Sequence, residues 1–228
     1  MTDDPGPIAG IVTRALELIK DGDVVGLGSG RAATGFVKAL GRRVQAGLRI
    51  RGVPTSEATA AVATQSGIPL VTLDEVLPLD LTVDGADEVD PQLNLIKGLG
   101  GALVREKIVA AASRRLVILV GAEKCVSVLG ARGILPVEVV PFGLPLCRQR
   151  LTELGCPPTP RLANGRLLVT DNGNHILDCK VSAISDPAKL EQEFLSIPGL
   201  VGTGLFLQMA DTVLIKNGEN VEIKQRKE

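Results

Sequence analysis

LTVDGADEVDPQLNLIKGLGGALVREKIVA, residues Leu81 to Ala110, packs most of the chemically active residue types of this chain into one stretch. The apolar run from Leu79 to Val83 reads as a buried parallel strand that ends in Asp84. Asp84-Gly85-Ala86-Asp87-Glu88 follows, and a second apolar run, Leu93 to Ile96, ends in Lys97. The turn Gly98-Leu99-Gly100-Gly101 then opens a helical pattern that carries Glu106 in its first or second turn. In open α/β sheets, ligands bind outside the carboxyl ends of the strands. A strand ending in aspartate, another ending in lysine and a glutamate on the helix beyond would supply acids, a base and a cation to one crevice. That set suits proton transfer on a small anionic substrate.

Upstream, Ile8, Ile11, Val12, Ala15, Leu16 and Ile19 form a helical stripe over Ile8 to Lys20. Val24 to Leu27 reads as the first buried strand, and Gly28-Ser29-Gly30 turns it into a helix from about Ala32 to Arg43. Strand, glycine turn and helix together present free backbone N–H groups to a phosphate. Arg49 to Val53 is a second strand, Thr55-Ser56-Glu57 caps a helix through Gln65, and Leu70 to Leu73 reads as a third strand. Downstream, Leu116 to Val120 is another buried strand, with Lys124 in the polar turn after it. Beyond residue 132 prolines crowd in and the strand–helix alternation stops. Val137 to Val140 reads as a strand and Leu144 to Leu154 as a helix. Arg166 to Val169 and His175 to Asp178 read as a hairpin around Asp171-Asn-Gly-Asn174. Asp186-Pro187 starts a helix to Leu195. From Leu205, the runs Thr212 to Ile215 and Asn220 to Ile223 return to the main domain. The expected architecture is therefore α/β over 1–132 and 205–228, with a small α+β lobe inserted at 133–204.

Composition narrows the function. Hydrophobic residues make up 45% of the 228, ample for a buried core. The chain has no Trp or Tyr and only four Phe, so platforms for stacking bases are nearly absent. A formal net charge of −1 with no basic block argues against nucleic acid as a partner. Lys224-Gln-Arg226-Lys227 reads as a solvated tail. Met1-Thr-Asp-Asp does not resemble a signal peptide, and no apolar run approaches the roughly 20 residues that span a bilayer. Cys125, Cys147, Cys156 and Cys179 show neither a C-x-x-C pair nor zinc-ligand spacing. Buried thiols in a reducing cytosol, and a cytoplasmic protein without membrane contact, are the expectation.

Each motif has a plainer alternative. Gly28-Ser29-Gly30-Arg31-Ala32-Ala33 fits the G-x-G-x-x-A dinucleotide fingerprint, yet the next strand offers no carboxylate for a ribose. The turn suits a lone phosphate better; otherwise its glycines serve only packing. The acidic run from Asp84 through Asp90 could hold Mg²⁺ or Ca²⁺, or be a solvated turn, but the twelve-residue calcium loop is missing. Lys97 before its glycines lacks the Walker order. Glu106 taken alone would be an ordinary residue on a helix surface. His175, the sole histidine, has no nucleophile partner pattern and reads as structural.

Taken together, GLGSG, TSEAT, DGADEVD, IKGLGGALVREKIVA, PVEVVP, DNGNHILD and IPGLVGTGLF resemble the ribose-5-phosphate isomerase family, type A, over nearly the whole chain. The DGADE and KG…REKI blocks at this spacing are the most specific part. The resemblance implies a Rossmann-like parallel sheet with helices on both faces, a ferredoxin-like lobe, and a homodimer or homotetramer. It implies interconversion of ribose 5-phosphate and ribulose 5-phosphate with no metal or organic cofactor. Glu106 would carry the proton between C1 and C2 through a cis-enediolate, Asp84 would assist ring opening, Asp87 would position a sugar hydroxyl, and Lys97 would stabilise the enediolate. Ser29, Gly30, Arg31 and Ala32, with Lys124, would hold the phosphate. Gly85, Ala86, Gly98, Leu99 and Gly100 would line the sugar.

Three departures stand out: Arg31-Ala32 where the family's turn carries hydroxyls, Leu99 in place of a glycine, and no lysine before Lys20. A sugar-phosphate sensor on the same fold is the rival reading, disfavoured because Glu106, Asp84, Asp87 and Lys97 are all present. An amino-sugar-phosphate isomerase would want an acid–base histidine, and His175 lies far from these motifs in sequence.

Overall fold

The computed structural model describes residues 9–226. Met1-Thr-Asp-Asp, Ile8 and Lys227, named above, lie outside the described residues. The chain divides into two compact units. One holds the described residues up to Ala86, together with Arg105–Lys124 and the segment from Met209 onward; the other holds Asp87–Val104 and Cys125–Gln208.

The first unit is built on six strands: β1 (Val24–Leu27), β2 (Arg51–Pro54), β3 (Leu81–Gly85), β6 (Leu116–Gly121), β14 (Thr212–Asn217) and β15 (Asn220–Gln225). Their order is β15-β14-β6-β3-β1-β2, and every neighbouring pair is parallel except the final hairpin β14–β15. Alternate residues of a strand face opposite sides, and both sides are covered. Val25, Leu27, Leu81, Val83, Val117 and Leu119 pack with Ile11 and Ala15 of α1 (Ala9–Glu17) and Phe36 and Leu40 of α2 (Arg31–Gln45). Ala63 of α3 (Glu57–Gln65) completes that layer. On the opposite side Val24, Val53 and Leu79 pack with Val109 of α4 (Leu103–Ala111). Fully burying each such Val, Leu, Ile or Phe side chain stabilises by about 1.5–3 kcal/mol. The doubly covered α/β sheet expected from the apolar runs is present.

Two local expectations differ. The first helix stops at Glu17 instead of Lys20, because the Leu18 and Ile19 N–H groups donate three residues back, to the Ala15 and Leu16 carbonyls. Leu70 to Leu73 makes only an isolated bridge, Gly52 with Leu70. The Glu75 carboxylate takes the Thr72 N–H at 2.7 Å and its hydroxyl at 3.0 Å, a local bond that competes with strand pairing.

In the second unit β4 (Glu88–Val89), β5 (Leu95–Ile96) and β13 (Leu205–Phe206) form a small antiparallel sheet in the order β13-β5-β4. The run ending in Lys97 is thus a hairpin strand rather than a member of the parallel sheet. Asp90 explains the reversal: its Oδ1 accepts the Gln92 and Asn94 N–H groups at 2.9 and 2.8 Å, while Leu93 takes φ 62°. The remaining elements are β7 (Ile134–Val139), α5 (Leu144–Glu153), β8 (Pro158–Pro160), β9 (Leu162–Ala163), β10 (Arg166–Leu167), β11 (His175–Lys180), α6 (Pro187–Leu195) and β12 (Leu200–Thr203). Four of them form an antiparallel sheet in the order β12-β7-β11-β8. Leu135, Val137 and Val139 pack with Cys147 and Leu151 of α5 and Phe194 of α6.

The hairpin expected around Asp171–Asn174 is placed differently. Arg166-Leu167 pairs backward with Leu162-Ala163 around Asn164-Gly165, both at positive φ (52° and 76°), the conformation that a two-residue hairpin turn demands. The 171–174 turn still forms, but its amides serve another purpose: Asn172 Nδ2 and Asn174 Nδ2 donate to Oε1 of the fully buried Glu138 at 3.0 and 2.8 Å. Cys147, Cys156 and Cys179 are buried, and burial pushes all three thiols up and holds them protonated; Cys125 is exposed. Among the described residues no helix is long and apolar enough to cross a membrane.

Candidate active site

In the first unit the carboxyl edge of the parallel sheet gathers most of the expected residues. Leu27 at the end of β1 pairs with Val83 of β3, and Gly85 of β3 pairs with Leu119 of β6. The segments 28–32 and 122–124 and the last residues of β3 with Ala86 therefore lie at one edge of the sheet. Gly28 must be glycine: a Cβ there would lie 2.2 Å from Asp84 Oδ1 and 2.5 Å from the Asp84 Cα. Asp84 is 1% exposed, and its Oδ1 accepts the Ser29 N–H at 3.0 Å and the Gly85 N–H at 2.7 Å. Two backbone donors on one oxygen fix the orientation of this carboxylate.

Gly30 takes φ 88° and ψ 179° at the start of α2, with no side chain capping the helix. The first N–H groups of α2 are left to a ligand, the arrangement that suits an anion. Arg31 is the first residue of that helix and is exposed; Ala32 is half-buried. Lys124 closes the short turn after β6 and is half-buried.

Glu106 is 5% exposed in the first turn of α4. Its level in the sheet follows from its neighbours. Val109 packs where a Cβ on Gly26 would sit, with Cγ1 at 2.7 Å, and the Ser113 hydroxyl lies 2.6 Å from that of Thr82. The Leu79 N–H donates to the Ala112 carbonyl at 2.9 Å, which puts the C-terminal end of α4 beside the start of β3, so the helix runs antiparallel to that strand. Glu106, three residues ahead of Val109, lies about 4.5 Å nearer the carboxyl edge, on the side where Asp84 ends its strand.

The second unit holds the rest of the expected set. Asp87 donates its N–H to the Ile96 carbonyl at 2.8 Å, and its Oδ2 accepts the Leu99 N–H at 3.0 Å. Lys97 is 3% exposed, with Nζ 5.5 Å above the centre of the Phe206 ring. Its N–H donates to the Gly204 carbonyl at 2.8 Å, an approach so close that a Cβ on Gly204 would lie 2.2 Å from the Lys97 oxygen. Gly98 and Gly101, both at positive φ, bracket a turn closed by the Gly101 N–H on the Gly98 carbonyl at 3.0 Å. Leu99 and Gly100 at its tip are exposed.

The other acids of the run are engaged by backbone. Buried Glu88 accepts the Gly130 and Arg132 N–H groups, each at 2.7 Å, and Asp90 holds its own turn. Among the described residues no group of three or more His, Cys, Asp or Glu side chains is arranged to hold a metal ion. His175 Nδ1 lies 2.9 Å from the Leu168 carbonyl, to which it donates, a structural bond.

The family model described as ribose 5-phosphate isomerase A (phosphoriboisomerase A) matches residues 51–220. The chain belongs to the ribose 5-phosphate isomerase A family. It is 51% identical over 210 residues to the ribose-5-phosphate isomerase A of Roseiflexus sp. (strain RS-1), covering 91% of this chain and 90% of that protein. Its fold superposes on ribose 5-phosphate isomerase A from Methanocaldococcus jannaschii with a TM-score of 0.91 and 38% identity, over 99% of this chain and 100% of the other. A D-ribose-5-phosphate isomerase in complex with phospho-erythronic acid gives a TM-score of 0.92 and 37% identity, over 98% and 99%.

In this family member the sequence motifs left one group of residues unassigned. Ser29 Oγ sits 2.9, 2.8 and 3.1 Å from the hydroxyls of Thr55, Ser56 and Thr59. Thr55 and Thr59 in turn donate to the Leu27 and Gly28 carbonyls, each at 3.0 Å. The TSEAT segment thus braces the glycine turn from behind, besides capping α3 through Ser56. Its capping role is legible in sequence. Its bracing role is not, since nothing local ties residues 55–59 to residue 29.

Proposed function

We propose that this chain interconverts D-ribose 5-phosphate and D-ribulose 5-phosphate. The observation that carries the reading is the pairing, at one sheet edge, of a helix N-terminus open to an anion with two buried carboxylates, Asp84 and Glu106. The phosphate sits on the N–H groups of the 29–32 turn, with Arg31 and Lys124 supplying positive charge. Asp84 assists opening of the sugar ring, and Asp87 orients a sugar hydroxyl. Glu106 removes the proton from C2 of the open aldose and returns it to C1. The hydroxyl proton on O2 passes to O1, which completes the ketose. Lys97 stabilises the negative charge that develops on the enediolate oxygen between the two transfers. The backbone of Gly85, Ala86, Gly98, Leu99 and Gly100 lines the sugar. The same reading takes the working form as a cytoplasmic homodimer or homotetramer that needs no cofactor.

Proton NMR of the EDTA-treated protein with ribose 5-phosphate in D₂O tests this directly. Ribulose 5-phosphate should appear, with deuterium entering at the carbon that receives the proton. Saturable binding without conversion would reject the isomerase in favour of a sugar-phosphate sensor. A further expectation concerns the unusual turn. Arg31→Ala should raise KM for ribose 5-phosphate roughly ten- to a hundredfold, the value of about 1.5–3 kcal/mol for a charge-assisted hydrogen bond, with kcat within about twofold. An unchanged KM would take Arg31 off the phosphate.

A further inference from the structure

Behind the Gly98–Gly101 turn, within the second unit, lies a half-buried ion pair that the reaction as described does not use. Arg161 follows β8, and Asp178 lies in β11; their side chains are only 13% and 23% exposed. The pair is bidentate: Arg161 Nε donates to Asp178 Oδ2 at 2.9 Å and Nη2 donates to Oδ1. The remaining terminal nitrogen, Nη1, donates to two backbone carbonyls, Gly98 at 2.7 Å and Leu99 at 3.0 Å. The peptide unit joining Gly98 to Leu99 is therefore gripped at both ends. Its carbonyl accepts from Arg161, and its N–H donates to Asp87 Oδ2 at 3.0 Å.

A guanidinium on the oxygen of a peptide polarises its N–H and strengthens the bond made at the other end. Only arginine fits here, because the fork on Asp178 and the two carbonyls together need donors on three nitrogens in one plane. Arg161 is itself held by backbone, its N–H on the Ile176 carbonyl and its own carbonyl accepting from the Leu168 N–H, both at 2.9 Å. The anchor thus stands on the antiparallel sheet while its far end reaches the exposed tip of the turn.

We infer that Arg161, held by Asp178, is a positioning residue for the isomerisation: through the single Gly98–Leu99 peptide it fixes the glycine turn and the carboxylate of Asp87. The inference rests on the isomerase reading above and adds to it the element that aims Asp87. Because Arg161 acts through another group, its loss weakens turnover without removing any atom that touches substrate.

The test is a double-mutant cycle on kcat/KM for ribose 5-phosphate, using Arg161→Lys, Asp87→Ala and the two combined. Arg161→Lys alone should lower kcat/KM by about ten- to a hundredfold, the range expected for a reacting group displaced by about an ångström. In the Asp87→Ala background the same change should cost less than about threefold. An equal loss in both backgrounds would mean a merely structural role and would overturn the inference, as would full activity of Arg161→Lys. Should Arg161→Lys fail to fold, Asp178→Asn takes its place in the cycle, with the same non-additivity expected and the same two outcomes against it. Absence of isomerisation by the unaltered protein would reject the function and this inference with it; active wild type with unaffected variants would reject the inference alone.

Discussion

Glu106→Gln is expected to lower kcat by at least 10²–10⁴-fold, the contribution of a positioned general base, while the dissociation constant for the sugar phosphate stays within a few-fold. The substitution keeps shape and hydrogen-bonding reach but removes the carboxylate proposed to accept the carbon-bound proton. Glu106 is 5% exposed in the first turn of α4, so no bulk base can take its place readily. Phosphate affinity should survive because the 29–32 turn belongs to α2, a different element. Calorimetric titration with the sugar phosphate and turnover followed by NMR separate the two quantities. Turnover within tenfold of the parent would remove Glu106 from the mechanism, and lost binding with lost turnover would make it a structural residue. Deuterium exchange into unreacted substrate should vanish in step with turnover, since both need the same proton abstraction.

Lys97→Met should cut kcat by about 10²–10³-fold, the usual loss when one preorganised oxyanion-stabilising group is removed. Lys97 is 3% exposed, and its ammonium lies over the Phe206 ring at 5.5 Å. Methionine preserves the stem and its packing while discarding the charge. A lower kcat with KM within a few-fold is the signature of a cation that acts on the transition state. A melting temperature that drops sharply while kcat holds would assign Lys97 to stability instead.

The fold was legible wherever period and composition agreed. Short apolar runs at Val24–Leu27, Leu81–Val83 and Leu116–Val120, separated by helical stripes, specify a sheet covered on both faces, because residues buried on both sides leave no polar alternation. Leu93–Ile96 misled for the same reason. Three apolar residues in four look alike in a parallel strand and in a hairpin, and the Asx turn of Asp90 selected the hairpin. At Asp171–Asn174 a genuine turn signal was read as the hairpin, while Asn164-Gly165 closed it. The asparagines of the later turn were instead drawn to the buried carboxylate of Glu138.

The sequence by itself determined the α/β class and the glycine turn between β1 and α2, and it singled out Asp84, Asp87, Lys97 and Glu106 as candidates, because each of these rests on residue type and short spacing. Only the tertiary structure decided what Glu88 of the DGADEVD run does. Glu88 bonds the N–H groups of Gly130 and Arg132, more than forty residues away in sequence. It also brought Thr55 and Thr59 behind Ser29, and Arg161 behind Leu99. Such bonds join groups that are distant along the chain, and local spacing carries no record of which distant donors meet an acceptor once the sheets have formed.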